Sequence, residues 1–98
     1  MSVQMVIELK GAQGFRPVAQ AIESYNARLR KGIARCRRRL AELERRYETS
    51  TEDFLHHMAA EDLPGGDLEY VEWAGEAEML RGLQRELSEL EDARYQLS

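Results

Sequence analysis

Apolar side chains return every three or four positions through the first half of the chain: Val18, Ile22, Tyr25, Leu29, Ile33, Cys36, Leu40, Leu43 and Tyr47. A stripe of that period predicts one amphipathic helix over residues 16–48. Pro17 stands near its first position, where a missing N–H is no loss. The mean step lies close to ~3.6 residues, so the helix needs little supercoiling. Gly32 interrupts it at a cost of about 1 kcal/mol and marks a place where another helix could come close.

A second stripe runs through Trp73, Ala77, Leu80, Leu83, Leu87, Leu90 and Leu97, with Tyr70, Val71 and Met79 beside it. It predicts a helix over residues 67–96, with Asp67 as its cap. Both long helices span about 45 Å at ~1.5 Å per residue, a match that favours antiparallel pairing. Between them, Thr49-Ser50-Thr51-Glu52-Asp53 reads as a stop and a restart with a capping box. The short helix it opens, over residues 50–59, would bury Phe54, Leu55 and Met58. Leu63-Pro64-Gly65-Gly66 is a turn.

Before the first helix the period changes to two. Val3, Met5, Ile7 and Leu9 alternate with Ser2, Gln4, Val6 and Glu8, the pattern of a strand with one buried face over residues 2–10. No second strand follows. Its backbone groups would need a partner across a dimer axis or on another protein's sheet edge. The predicted fold is therefore mainly α. It is a single domain built as a long antiparallel helical hairpin, coiled-coil-like, with a short N-terminal β-strand and a short helix at the bend. Two helices make a thin core, so a homodimer packed as a four-helix bundle, or a protein partner, is expected to complete it.

Charge sharpens this picture. Residues 1–46 hold 11 Lys/Arg against 4 Asp/Glu, and residues 47–98 hold 3 against 14. A basic helix folding back on an acidic one gains from that asymmetry, which disfavours like-with-like pairing. The one cysteine, Cys36, lies in the apolar stripe and reads as a small core residue. A single cysteine allows no internal disulfide and fits a reducing compartment. No apolar run reaches the ~20 residues of a membrane span, and the N-terminus lacks the pattern of an export signal. A soluble cytoplasmic protein with no membrane contact is the expectation.

Candidate chemistry is sparse. His56 and His57 are adjacent, so on a helix they project about 100° apart and do not readily share one ion. Glu69, Glu72 and Glu76 line one side of the last helix, yet no nucleophile or histidine accompanies them. Neither a phosphate-binding glycine loop nor a CxxC pair occurs. The reading is of a non-enzymatic protein with no metal and no cofactor. Partner-binding candidates are Val3, Met5, Ile7 and Leu9 on the strand, with Phe54, Tyr70 and Trp73 near the bend. Arg35, Arg37, Arg38 and Arg39 are the densest charge and suggest, as the alternative, a nucleic-acid-associated or structural adaptor acting through residues 28–46. Against that stand the absence of interleaved aromatics, the negative net charge, and a spacing expected to wrap the cluster around the helix.

One stretch carries a resemblance. Tyr47-Glu48-Thr49-Ser50-Thr51-Glu52-Asp53-Phe54-Leu55, an acidic turn, and Asp67-Leu68-Glu69-Tyr70-Val71-Glu72-Trp73-Ala74 together resemble small prokaryotic helical antitoxin-like proteins of toxin–antitoxin pairs. The likeness covers residues 40–90. It implies a protein that binds a co-encoded toxin and blocks its active surface. The separate DNA-binding module of two-part antitoxins has no counterpart here, so operator binding is not carried across.

Overall fold

The computed structural model describes residues 12–58 and 66–97, and within them the chain is three helices: α1 (Ala12–Tyr47), α2 (Thr51–His57) and α3 (Gly66–Leu97). The strand expected over residues 2–10 lies outside the described residues. The long helices lie antiparallel: Arg46 meets Glu69 near the bend, Arg39 meets Glu72, and Arg30 meets Glu91 toward the open end. The molecule is a rod of 59 × 25 × 18 Å.

α1 begins four residues before the predicted start, so Pro17 stands inside it and not at its first position. The ring lacks the N–H that would bond the Gln13 carbonyl, so the first turn of α1 is tied to the rest of the helix by one backbone bond fewer. At its far end Glu48 takes a left-handed φ of 52°. That reversal lets the Thr49 N–H reach the Glu44 carbonyl at 3.2 Å, closing the helix by a bond across its last turn.

α2 starts as the capping pattern predicts. The Ser50 hydroxyl accepts from the Asp53 N–H at 3.0 Å, and the Thr51 N–H donates to the Glu44 carboxylate at 2.7 Å. The second bond ties α2 to the end of α1. Of the three side chains expected to be buried, Phe54 is, Met58 is half-buried, and Leu55 is exposed. With only two turns, α2 has room for one inward residue.

The core is concentrated at the bend. Leu40, Leu43, Phe54, Trp73 and Ala77 are buried together, with Tyr47, Met58, Tyr70 and Leu80 packed around them. Farther along the rod the seam narrows to Leu29, Ile33 and Cys36, faced by α3 leucines that are only half-buried. Gly32 permits that narrowing. A Cβ built there would lie 3.1 Å from Leu83 Cδ1, so the end of the Leu83 side chain packs directly on the bare α1 backbone at this level.

Candidate interaction surfaces

At the bend four rings pack together. Trp73 lies parallel to Phe54 with centroids 4.0 Å apart, Tyr47 stacks on the Trp73 ring at 5.6 Å, and Tyr70 leans on Phe54 at 5.0 Å. The indole Nε1–H donates to the Thr51 hydroxyl at 3.0 Å, satisfying the ring's polar atom. Phe54 and Trp73 are both 0% exposed. As folded, neither offers surface to a partner, which corrects their expected role as contacts. Their rings hold α2 against α3. Tyr70 retains part of its surface, and Val3, Met5, Ile7 and Leu9 lie outside the described residues.

The opposite charges of the two helices meet as pairs. Arg39 Nε lies 2.6 Å from Glu72 Oε1 and Arg39 Nη1 lies 3.0 Å from Glu42 Oε2. Arg46 Nη1 stands 2.9 Å from Glu69 Oε1, at an angle that makes an ion pair without a well-directed hydrogen bond. The open end is held by polar contacts in place of apolar ones. Asn26, nearly buried, donates to Glu91 at 2.5 Å and accepts from Arg30 Nε at 2.9 Å, while Arg30 Nη2 reaches Glu91 at 3.0 Å. Arg94 crosses back to Glu23 at 2.7 Å, and the Tyr25 hydroxyl donates to Glu86 at 2.8 Å. A polar group in an apolar seam fixes register, because sliding either helix would leave it unpaired.

These contacts shift titrations. The hydrogen bond from Arg39 holds the Glu72 carboxyl below the usual range, and the bonds from Asn26 and Arg30 do the same for Glu91. A carboxylate lowered in the folded state stabilises above its unfolded pKa, near 4.5, and that contribution is lost as pH falls through the lowered value. Thermal melting should therefore hold steady from neutral pH to about pH 5 and decline below it. The decline should be modest and smaller at high salt, since these groups stand at the surface. A melting temperature unchanged down to about pH 3 would show the pairs to be energetically idle.

The remaining candidates resolve individually. Glu69, Glu72 and Glu76 do not form one acidic site: Glu69 faces Arg46, Glu72 faces Arg39, and Glu76 stands beside the Cys36 thiol. Burial first, and then Glu76, pushes that thiol up from its ordinary value. The rings of His56 and His57 are 6.1 Å apart and exposed. Among the described residues no three His, Cys, Asp or Glu side chains are grouped to hold a metal ion. No described helix is long and apolar enough to cross a membrane.

Two surfaces stand out, one of them beyond those predicted. On α3, Leu68, Val71 and Met79 are 80%, 64% and 52% exposed. With Gly75 and Gly82 they recur at helical spacing along the flank turned away from Trp73 and Ala77. Among the described residues, a Cβ at either glycine would meet nothing within 4 Å. The sequence shows the signal, Leu-x-x-Val-x-x-x-Gly-x-x-x-Met-x-x-Gly, but the stronger leucine stripe on the next face hides it. On α1, the arginines divide into those facing α3 and those facing outward. Arg39, which reaches across to α3, is separated from Arg35 and Arg38, which are exposed on the far side, while Arg37 lies on the flank beside Leu40 and Gln84.

The chain matches no family model, no curated protein and no solved structure.

Proposed function

We propose that the chain is a non-enzymatic interaction module that receives a protein helix along the outer flank of α3. The observation that carries this reading is the glycine-notched apolar stripe Leu68, Val71, Gly75, Met79, Gly82. Each glycine inside a helix costs about 1 kcal/mol relative to alanine. Gly32 returns that cost by letting Leu83 approach, whereas Gly75 and Gly82 have no neighbour among the described residues that needs the space. An incoming backbone would need it. Glu86 and Glu89, which no basic side chain neutralises among the described residues, border the stripe, so a second α3 would bring acid against acid there. An apolar helix edged with Lys or Arg fits better.

The finer reading is an antitoxin-like neutraliser, the incoming helix belonging to a co-encoded toxin. It is supported by the resemblance over residues 40–90 and is compatible with this surface. Co-expression with the products of the flanking genes tests it. A one-to-one complex should form with one of them and relieve its toxicity. Val71→Lys with Met79→Lys should abolish the complex and leave the isolated chain's melting unchanged, since both side chains are exposed. Absence of a complex with either product would refute the neutraliser. Self-association of the chain alone, lost in the same variant, would assign the stripe to a homodimer instead.

A further inference from the structure

The outward face of α1 is not used by the fold or by the surface just proposed. Arg28, Lys31, Arg35, Arg38 and Arg45 are all exposed, and their spacing of three, four, three and seven keeps them on one side of the helix. That side lies opposite the seam formed by Leu29, Ile33, Cys36, Leu40 and Leu43. The position that interrupts the series is Glu42, and its carboxylate is already engaged by Arg39 at 3.0 Å. Arg28 packs its guanidinium 5.9 Å over the Tyr25 ring. Among the described residues, Lys31, Arg35, Arg38 and Arg45 have no carboxylate partner. The sequence suggested a cluster wrapped around the helix, but pairing with α3 removes Arg30, Arg39 and Arg46 from it and leaves a straight stripe.

We infer that this stripe binds the phosphate backbone of a nucleic-acid duplex. Four to five cations spread over about 26 Å of rigid helix match a continuous, regularly charged polyanion, in which duplex phosphates provide one charge per ~1.7 Å of axis. Ala27 and Ala34, both exposed beside the stripe, leave its edge low enough for a backbone to approach. The acidic surface of α3 lies across the rod, about a helix diameter away. At physiological salt a ~8 Å screening length isolates the two faces. A lipid surface fits less well, because an interfacial helix must sink an apolar face into the bilayer and that of α1 is covered by α3. Contacts made to phosphates alone carry no sequence information, so binding is independent of sequence.

Anisotropy titration of the full chain with a mixed-sequence DNA duplex of about 20 base pairs, across 50–200 mM salt, tests this inference. Neutralising four to five phosphates gives a log–log slope near −4 and an affinity loss of roughly 100- to 1000-fold over that range. Arg35→Gln with Arg38→Gln should make the slope shallower by about 2. Arg37→Gln, which removes an adjacent charge from the flank, should leave the slope unchanged. All these side chains are exposed, so circular dichroism should confirm an intact fold. No binding at low salt would overturn the inference, as would equal effects of Arg37→Gln and Arg38→Gln. Tight binding to phosphatidylserine vesicles without DNA binding would also overturn it and assign the stripe to lipid. The outcome is independent of whether α3 binds a protein.

Discussion

Trp73→Ala should destabilise the hairpin more than any other single substitution. The side chain is wholly buried and stacked on Phe54 and Tyr47, so its removal deletes the centre of the dense core at the bend. Large aromatic truncations cost about 3–5 kcal/mol, against a total stability of roughly 5–15 kcal/mol for a chain of this length. The loss should fall near the upper end, because α2 is held to α3 mainly through these rings. Trp73→Phe should be milder, preserving a ring and abandoning the hydrogen bond to Thr51. Thr51→Val leaves the buried indole N–H without its acceptor and should cost about 1–3 kcal/mol. Urea unfolding followed by far-ultraviolet circular dichroism orders the variants. A midpoint for Trp73→Ala equal to the parent would mean the stack contributes nothing.

Gly32→Leu should be the second most damaging single change. The leucine would have to occupy space where even a Cβ comes within 3.1 Å of Leu83. Overpacking costs about 1–3 kcal/mol, and forcing the rods apart here also lengthens the ion pairs on either side. Gly32→Ala should fall near zero, since the helix-propensity gain of about 1 kcal/mol is offset by displacing the flexible end of Leu83. Gly75→Ala and Gly82→Ala should go the other way and stabilise the isolated chain, each by up to about 1 kcal/mol. Thermal melting of the four variants reveals the pattern. If all four moved the melting temperature in one direction, the close approach at Gly32 would be unimportant.

Much of the hairpin was legible because period, charge and caps agree. The apolar stripe of α1, the Ser50 cap, the restart at Thr51 and the close approach at Gly32 are all written in local sequence and appear in the structure. Two features were not legible. Tyr25 and Asn26 satisfy the helical spacing between Ile22 and Leu29 equally well, and hydropathy favours Tyr25. The structure buries Asn26 and leaves Tyr25 40% exposed, because Glu91 and Arg30 supply partners for the amide while the phenol reaches Glu86 at the rim. Such a choice depends on residues more than sixty positions away. Likewise, aromatic identity alone made Phe54 and Trp73 look like anchors for a partner. Whether a large ring faces inward or outward depends on whether another element covers it, and here α2 does.

The surfaces were hidden for a related reason. Nine basic residues between positions 28 and 46 look like one cluster when read along the chain. Only the rotation of α1 about its axis, set by the seam with α3, sorts them into paired and outward-facing groups. The same rotation on α3 separates the leucine stripe from Leu68, Val71 and Met79.

Cys36 gives the rod an internal clock. Its thiol sits midway along the seam, 1% exposed, with its reactive anion disfavoured by burial and by Glu76. A maleimide reagent can reach it only when the two rods part at that level. Labelling of the native chain would therefore proceed at the frequency of that parting, independent of fraying at the open end and of events at the aromatic bend. A ligand that clamps the hairpin would slow the labelling, and one that prises it open would speed it.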